Sequence, residues 1–239
     1  MKYLVEYVRI QFLELLRLPS FFLPLVALPA VFYLMAGARS GPLAGISLFS
    51  YLAFAIMGTM MFQFGVGIAA NRNDPWNLYL LTLPASSRLR IGSQLLTGLV
   101  FAVLFALPLL AIGLFNGALL SISPAGLGMG AAALLIGGVV HGALGLALGY
   151  WLPVRGATPI TSLLYFPLSF VGGLFGPVDL GALQVLHDFS PTGAWTDLIA
   201  GALAGSVPWR ALLVLGIYFL LCGTAAVLGY RRVEQTQYR

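Results

Sequence analysis

Few side chains within the apolar stretches of this sequence could do chemistry. His141 is the one ionisable group deep in such a stretch, and Gln63 is a polar side chain in another. An ionisable residue inside a membrane is a functional candidate by default, but the favoured interpretation of His141 is a neutral histidine hydrogen-bonded between helices. Gln63 has the same two interpretations, an interhelical hydrogen bond or a contact with a transported molecule. Cys222 is the single cysteine and is interpreted as a small apolar side chain.

Several patterns that support catalysis are missing from the sequence. It contains no phosphate-binding GxxxxGK[ST] motif, no HExxH and no GxSxG. Two histidines and one cysteine are too few for a typical His/Cys metal site. None of the seven acidic residues lies in the middle of an apolar stretch, whereas ion-coupled carriers usually use carboxylates there. We therefore expect no enzyme activity, no cofactor and no metal on this chain.

The elements that hold these residues are apolar stretches long enough to cross a bilayer. Hydrophobic residues make up 60% of the sequence and charged residues 8%, and the mean hydropathy is +0.97. A helix needs about 20 apolar residues to span the hydrocarbon core. The sequence thus predicts an all-α integral membrane protein, one transmembrane domain over 1–239, with six spans at 20–38, 45–70, 93–115, 125–151, 157–175 and 209–230.

Basic residues indicate the orientation in a cell membrane, inner or plasma. With six spans, ten Lys and Arg fall on one side and two on the other, a bias typical of cytoplasmic loops. Both termini are then cytoplasmic, and Asp179, Asp188 and Asp197 are external. We expect no cleaved signal peptide, because charged residues interrupt the first 18 positions. The basic majority is Lys2, Arg9, Arg17, Arg72, Arg88, Arg90, Arg155, Arg231, Arg232 and Arg239, against Arg39 and Arg210.

Three segments outside the spans have predicted roles. Residues 1–19 form an amphipathic interfacial helix whose charged face carries Glu6, Arg9, Glu14 and Arg17. The cytoplasmic loop 71–92 holds a short helix near 75–82, since Asp74 can cap it and Pro75 suits its first turn. The segment 176–208 is predicted to form two short re-entrant helices on the outside, the second starting at Ser190-Pro191.

The fourth span carries a glycine stripe. Gly138, Gly142, Gly145 and Gly149 recur at steps of four, three and four, so they share one helix face. Small residues at this spacing let helices approach closely in lipid. We expect packing within one subunit, with a subunit interface as the alternative.

Taken together, these elements resemble the type-2 permease family of ATP-binding-cassette (ABC) exporters over the whole chain. The most specific matches are the stretch from Leu80 to Ser86 (LLTLPAS) and the Phe189-Ser190-Pro191-Thr192 motif. The family often has an acidic residue followed by Gly-Thr ahead of the first motif, whereas this sequence has Asn71-Arg72-Asn73-Asp74-Pro75-Trp76 there.

The resemblance implies a chain without its own ATPase. Such permeases bind two copies of a separate ATPase subunit, which carries the ATP and magnesium, and the helix of the 71–92 loop becomes a coupling helix. Trp76 and Tyr79 are its expected anchors, because aromatic side chains dominate interface energies. The leading helix would also touch the ATPase, and a second permease chain, identical or not, would face the first. The expected ATPase contacts are Asp74, Pro75, Trp76, Asn77, Tyr79 and Leu80.

The cargo is expected to be lipophilic or amphipathic, such as a drug, an antibiotic or a lipid, because a path without fixed charge suits such molecules. We expect spans two and five to line this path, although a cluster of methionine and phenylalanine such as that of span two more often serves packing or lipid contact. The expected path residues are Met57, Met61, Gln63, His141, Phe166 and Phe170.

Two other functions fit the sequence less well. A stand-alone ion-coupled carrier or channel would transport cargo without an ATPase, and a membrane-embedded lipid enzyme would need a nucleophile or metal cluster. Nucleic acid is not an expected partner, because the net charge of +5 reflects membrane topology rather than one basic surface.

Overall fold

The computed structural model describes residues 19–37, 41–72, 74–75, 87–176, 181 and 184–237. Every regular element in these ranges is helical. The predicted leading helix, with Glu6, Arg9, Glu14 and Arg17, lies outside the described residues, and so do Trp76, Asn77, Tyr79 and Leu80 of the predicted coupling helix.

Nine α-helices form the described part of the chain. A π-helical turn follows α1 at Tyr33–Gly37, and another joins α2 to α3 at Phe62–Val66. Short 3₁₀ turns lie at Gly41–Leu43 and Leu119–Ser121. The α-helices are α1 Pro19–Phe32, α2 Ala44–Met61, α3 Gly67–Asn71, α4 Ser87–Phe115, α5 Pro124–Trp151, α6 Val154–Val171, α7 Gln184–Phe189, α8 Pro191–Leu203 and α9 Trp209–Gln237.

Four of these helical segments are long and apolar enough to cross a membrane, as judged from length and composition. They are Ala44–Asn71, Ile91–Phe115, Pro124–Trp151 and Trp209–Gln235. Leu25–Ala36 in the first predicted span is a shorter apolar helix, and α6 in the fifth contains Arg155 and two prolines. A helical membrane protein is therefore supported, whereas six spans and a re-entrant placement of α7 and α8 stay predictions.

The helix α2 forms the centre of the bundle. It packs against α1, α4, α5, α6 and α8, and sixteen of its eighteen residues are buried. The Phe54 ring of α2 stacks on Tyr165 with centroids 4.9 Å apart and meets Phe175 edge-on at 4.8 Å. Because α2 is apolar all round, it belongs in the interior of the bundle.

Proline and serine set the starts of two helices. Pro124 and Pro191 are the first residues of α5 and α8, where their missing N–H costs nothing. The preceding serines cap the two helices: Ser123 Oγ accepts from the Gly126 N–H at 3.1 Å, and Ser190 Oγ accepts from the Gly193 N–H at 2.8 Å. The helix α8 thus begins where the sequence predicts it.

Candidate functional site

The glycine stripe of α5 faces other helices of the same chain. A Cβ added at Gly138 would meet Ile56 at 3.1 Å and Leu99 at 3.3 Å, and one at Gly142 would meet Leu95 at 2.8 Å. These neighbours belong to α2 and α4. The first half of the stripe, Gly138 and Gly142, therefore lies where α2, α4 and α5 come together.

The other half of the stripe lies against backbone. A Cβ at Gly145 would stand 2.6 Å from the carbonyl oxygen of Met60, and one at Gly149 would collide with the carbonyl oxygen of Phe64. Phe64 is in the π-helical turn Phe62–Val66. The π-helical turn of the segment Ala44–Asn71 therefore packs directly against the glycines of α5.

His141 ties α5 to α8. Its side chain is fully buried, with Nδ1 2.8 Å from the Gly137 carbonyl oxygen and Nε2 3.3 Å from the Thr192 hydroxyl. Since a carbonyl can only accept, Nδ1 carries the proton, and in the neutral ring Nε2 accepts from Thr192. The polar groups of His141 are thus used inside the chain.

Trp195 of α8 completes this connection, which we name the α5–α8 lock: Gly137, His141, Thr192 and Trp195. The Trp195 ring is fully buried, stacks on His141 with centroids 4.8 Å apart and donates Nε1–H to the Ala133 carbonyl at 2.8 Å. A Cβ on Gly137 would overlap this ring. The lock fastens the second helix of the predicted hairpin to α5.

The residues expected along the cargo path differ in their exposure. Met57 and Met61 are fully buried in α2, as His141 is in α5. Phe166 and Phe170 are 38% and 56% exposed on α6. The structure therefore places three of the six in the interior of one chain and two on its surface.

Exposed apolar residues line one side of α6, and we name them the α6 face: Ile160, Leu163, Phe166 and Phe170. The opposite side of α6 is buried through Ala157, Thr161, Tyr165 and Ser169. On that side the Tyr165 hydroxyl donates to the Phe54 carbonyl at 3.1 Å, which holds α6 against α2. The chain thus presents an apolar α6 face on a helix that is anchored from behind.

Two buried polar atoms lie near this helix without a hydrogen-bond partner among the described residues, namely Gln63 Oε1 and Thr161 Oγ1. Gln63 is in the π-helical turn, which packs against α6, and a Cβ on Gly65 of that turn would stand 2.9 Å from Thr161 Oγ1. A buried unpaired oxygen costs roughly 1–3 kcal/mol, so these atoms are ready to accept a hydrogen bond.

Of the predicted coupling loop, 71–92, the structure describes positions 71–72 and 74–75 at the start and the residues from Ser87, where α4 begins. Asp74 and Pro75 are exposed, and the Asp74 N–H donates to the Asn71 carbonyl at 3.0 Å. Nearby, Arg72 Nη1 donates to the Tyr150 carbonyl at 3.2 Å and so joins the end of α3 to the end of α5. The start of the loop is thereby fixed to the bundle.

Charged groups gather where α7, α8 and α9 meet. Arg210 Nη2 lies 3.1 Å from Asp188 Oδ2, and its guanidinium stands 5.5 Å from the Phe189 ring centroid. His187 Nδ1 donates to the Val171 carbonyl at 2.9 Å, and its Nε2 lies 3.4 Å from Asp197. In the part of the chain that the structure describes, no three His, Cys, Asp or Glu side chains are grouped so that they could hold a metal ion.

Sequence reasoning missed three features of these sites. The π-helical turn has no composition signal, Thr161 is an ordinary residue of a predicted span, and the contact of Trp195 with Gly137 joins positions far apart in sequence. One signal was available, because Thr192 is the last residue of the Phe-Ser-Pro-Thr motif.

Comparison with known proteins finds a relative in Bacillus subtilis. The chain is 26% identical over 183 residues to a Bacillus subtilis (strain 168) protein named "Putative transport permease YvfS", covering 73% of this chain and 72% of that protein. No protein-family profile matches the chain. The described part of the chain has four helices that are long and apolar enough to cross a membrane, as a membrane permease requires.

Proposed function

We propose that this chain is the permease subunit of an ATP-driven ABC exporter. Two permease chains, identical or not, stand in the cell membrane with cytoplasmic termini, each with six spans and an external re-entrant hairpin formed by α7 and α8. Two copies of a separate ATPase bind the leading helix and the coupling helix. Alternating access then moves lipophilic or amphipathic cargo outward.

The observation that carries the proposal is the similarity over 183 residues to a protein named as a transport permease. Energy from a separate ATPase is supported by the sequence, which lacks both a phosphate-binding loop and acidic residues in the middle of its apolar stretches. Arg72 fixes the start of the predicted coupling loop to the bundle, and Asp74 and Pro75 follow it and are exposed. This exposure supports an ATPase contact at the start of the loop.

The coupling assignment predicts a sharp effect of the two aromatic anchors. In nanodiscs, the chain with its co-purified ATPase should hydrolyse ATP at a rate that changes when a lipophilic amine is added. Trp76→Ala with Tyr79→Ala should remove this response and weaken ATPase binding by about 30-fold, equivalent to roughly 2 kcal/mol for a binding hot spot. ATPase titration and ATP hydrolysis measure the two effects.

The matched control is Trp209→Ala, which removes an aromatic side chain that is 74% exposed at the other end of the bundle. It should leave ATPase binding unchanged. Accumulation of the amine against a gradient by liposomes that contain only this chain, energised by protons or sodium, would establish the stand-alone carrier instead.

The cargo path is proposed to run along the α6 face, between the two chains. Phe166 and Phe170 supply aromatic surface on a helix that Tyr165 anchors from behind. The oxygens of Gln63 and Thr161 that have no partner among the described residues are buried behind this face and do not line it. Met57, Met61 and His141, being fully buried, support the path from the interior rather than line it.

This route predicts that Phe170→Ala lowers ATP-driven export of the lipophilic amine severalfold, because the ring is an exposed contact on α6. Leu213→Ala is the control, since Leu213 is also exposed, at 68%, but lies on α9. Export into inside-out vesicles measures both. Photoactivated cargo that labels other helices and never α6 would contradict the route.

A further inference from the structure

A groove runs between α5 and α9, on helices that the proposed cargo path does not use. Its volume is about 370 Å³, and four residues of α5 between Leu135 and Val140 line it together with four of α9 between Leu212 and Phe219. Seven of the eight residues carry apolar side chains, and the eighth is Gly216. The groove therefore offers a ligand shape and van der Waals contact but no side-chain hydrogen bond.

Gly216 is the gap that opens this groove. It is exposed, and a Cβ added there would have no heavy atom of its surroundings within 4 Å. Leu135 and Ile136 on the facing helix are 47% and 40% exposed. The groove is thus open along its length, and it opens outward from two helices that can cross a membrane.

The dimensions favour a thin occupant. Eight residues of α9 extend for about 12 Å along the helix axis, roughly as long as a helix with its side chains is wide. A stable protein–protein contact buries about 800 Å² on each partner, which eight residues around a glycine gap do not provide. A polar ligand would find no partner for its hydrogen-bonding groups. A hydrocarbon chain needs none and fits the length.

The groove also begins at a suitable depth. Trp209 is 74% exposed and lies on the same face of α9, three residues before Leu212 and seven before Gly216. Tryptophan is enriched where a membrane meets water, at the level of the lipid headgroups. A chain that starts at Trp209 and continues past Gly216 runs as an acyl chain does.

We propose that this groove binds one acyl chain of a membrane phospholipid, held more tightly than the lipids that surround the protein. The headgroup lies at the level of Trp209, and the chain fills the space left by Gly216. The site is separate from the α6 face, so it exists whether or not the α6 face carries cargo.

The test uses a phosphatidylcholine with a photoactivatable diazirine near the middle of one acyl chain, in nanodiscs with the full-length protein. Labelling should concentrate on Leu135–Val140 and Leu212–Phe219 when crosslinked peptides are mapped by mass spectrometry. Gly216→Leu fills the groove and should lower this labelling severalfold. Gly223→Leu is the matched control, because a Cβ at Gly223 also meets nothing within 4 Å but the residue does not line the groove.

Three results would overturn the site. The first is even labelling of all exposed apolar segments, which is expected of surrounding lipid. The second is an equal fall of labelling in both glycine variants. The third is rapid disulfide formation between chains of Gly216→Cys in a Cys222→Ala background, which would make a second copy the occupant. The labelling map of the unaltered protein decides between a preferred and an even distribution even if a variant fails to fold.

Discussion

Replacing Trp195 with alanine is expected to lower the free energy of unfolding by about 3–5 kcal/mol, the usual range for removing a buried tryptophan. The indole is fully buried, stacks on His141 and donates Nε1–H to the Ala133 carbonyl at 2.8 Å. Its loss leaves a large cavity between α5 and α8 and removes that hydrogen bond. Denaturant titration in mixed micelles measures the change.

Two further variants separate the contributions. Trp195→Phe keeps most of the ring but removes the N–H. It should therefore lower the free energy of unfolding by less than Trp195→Ala does, and about 1 kcal/mol of the loss is assigned to the hydrogen bond. Trp209→Ala removes the same side chain from an exposed position of α9 and should unfold close to the unaltered protein. Equal unfolding of Trp195→Ala and Trp209→Ala would mean that α8 is not docked on α5.

The same contact can be tested from its other side. A Cβ at Gly137 would overlap the Trp195 ring, so Gly137→Ala should destabilise the protein by itself. In the Trp195→Ala background the methyl group added by Gly137→Ala enters the cavity. The destabilisation that Gly137→Ala causes should then become smaller or turn into a stabilisation. Such non-additivity is expected only of residues in contact.

Much of the architecture follows from local sequence properties. The four long apolar segments were predicted because a run of about 20 uncharged residues has few alternatives to a membrane helix. The start of α8 followed from Ser190-Pro191, because capping and proline chemistry act within a few residues. The glycine stripe of α5 followed from its spacing alone.

Which side of a helix faces the interior, and hence which residues form a site, is harder to predict from the sequence. The helix α2 is apolar all round, so no pattern distinguishes a face toward cargo from a face toward the core. This is why Met57 and Met61, expected on the cargo path, lie in the interior. For α6, polar Thr161 and Ser169 lie on the buried side and Phe166 and Phe170 on the exposed side. In lipid such an arrangement is natural, whereas a soluble protein would reverse it.

The π-helical turn at Phe62–Val66 was also beyond prediction, because the contacts it makes join positions far apart in the sequence. The carbonyl of Phe64 in this turn and that of Met60 just before it point at Gly149 and Gly145 of α5. A π turn adds a residue to the helix and shifts the register of everything after it, and such turns often mark functional sites. The turn also contains Gln63, whose Oε1 is buried without a partner among the described residues.

This packing predicts opposite effects for one substitution at two positions of α5. Gly149→Ala should lower the free energy of unfolding by about 1–3 kcal/mol, as overpacking does, because the new methyl group meets the Phe64 carbonyl and stands 2.9 Å from the Ile68 Cβ. Gly128→Ala should raise it by roughly 0.5–1 kcal/mol, because alanine is the better helix former and nothing lies within 4 Å. Denaturant titration in mixed micelles measures both.

Comparing Gly149 with Gly128 isolates the effect of the packing contact, because the helix, the substitution and the added volume are the same at both positions. The expected loss of stability in Gly149→Ala arises from contact with backbone, which cannot rotate away as a side chain can. Gly145→Ala should therefore behave like Gly149→Ala, because it meets the Met60 carbonyl at 2.6 Å. If Gly149→Ala stabilises the protein as Gly128→Ala is expected to, α5 does not pack on the π-helical turn, and the stripe is free to serve a second subunit instead.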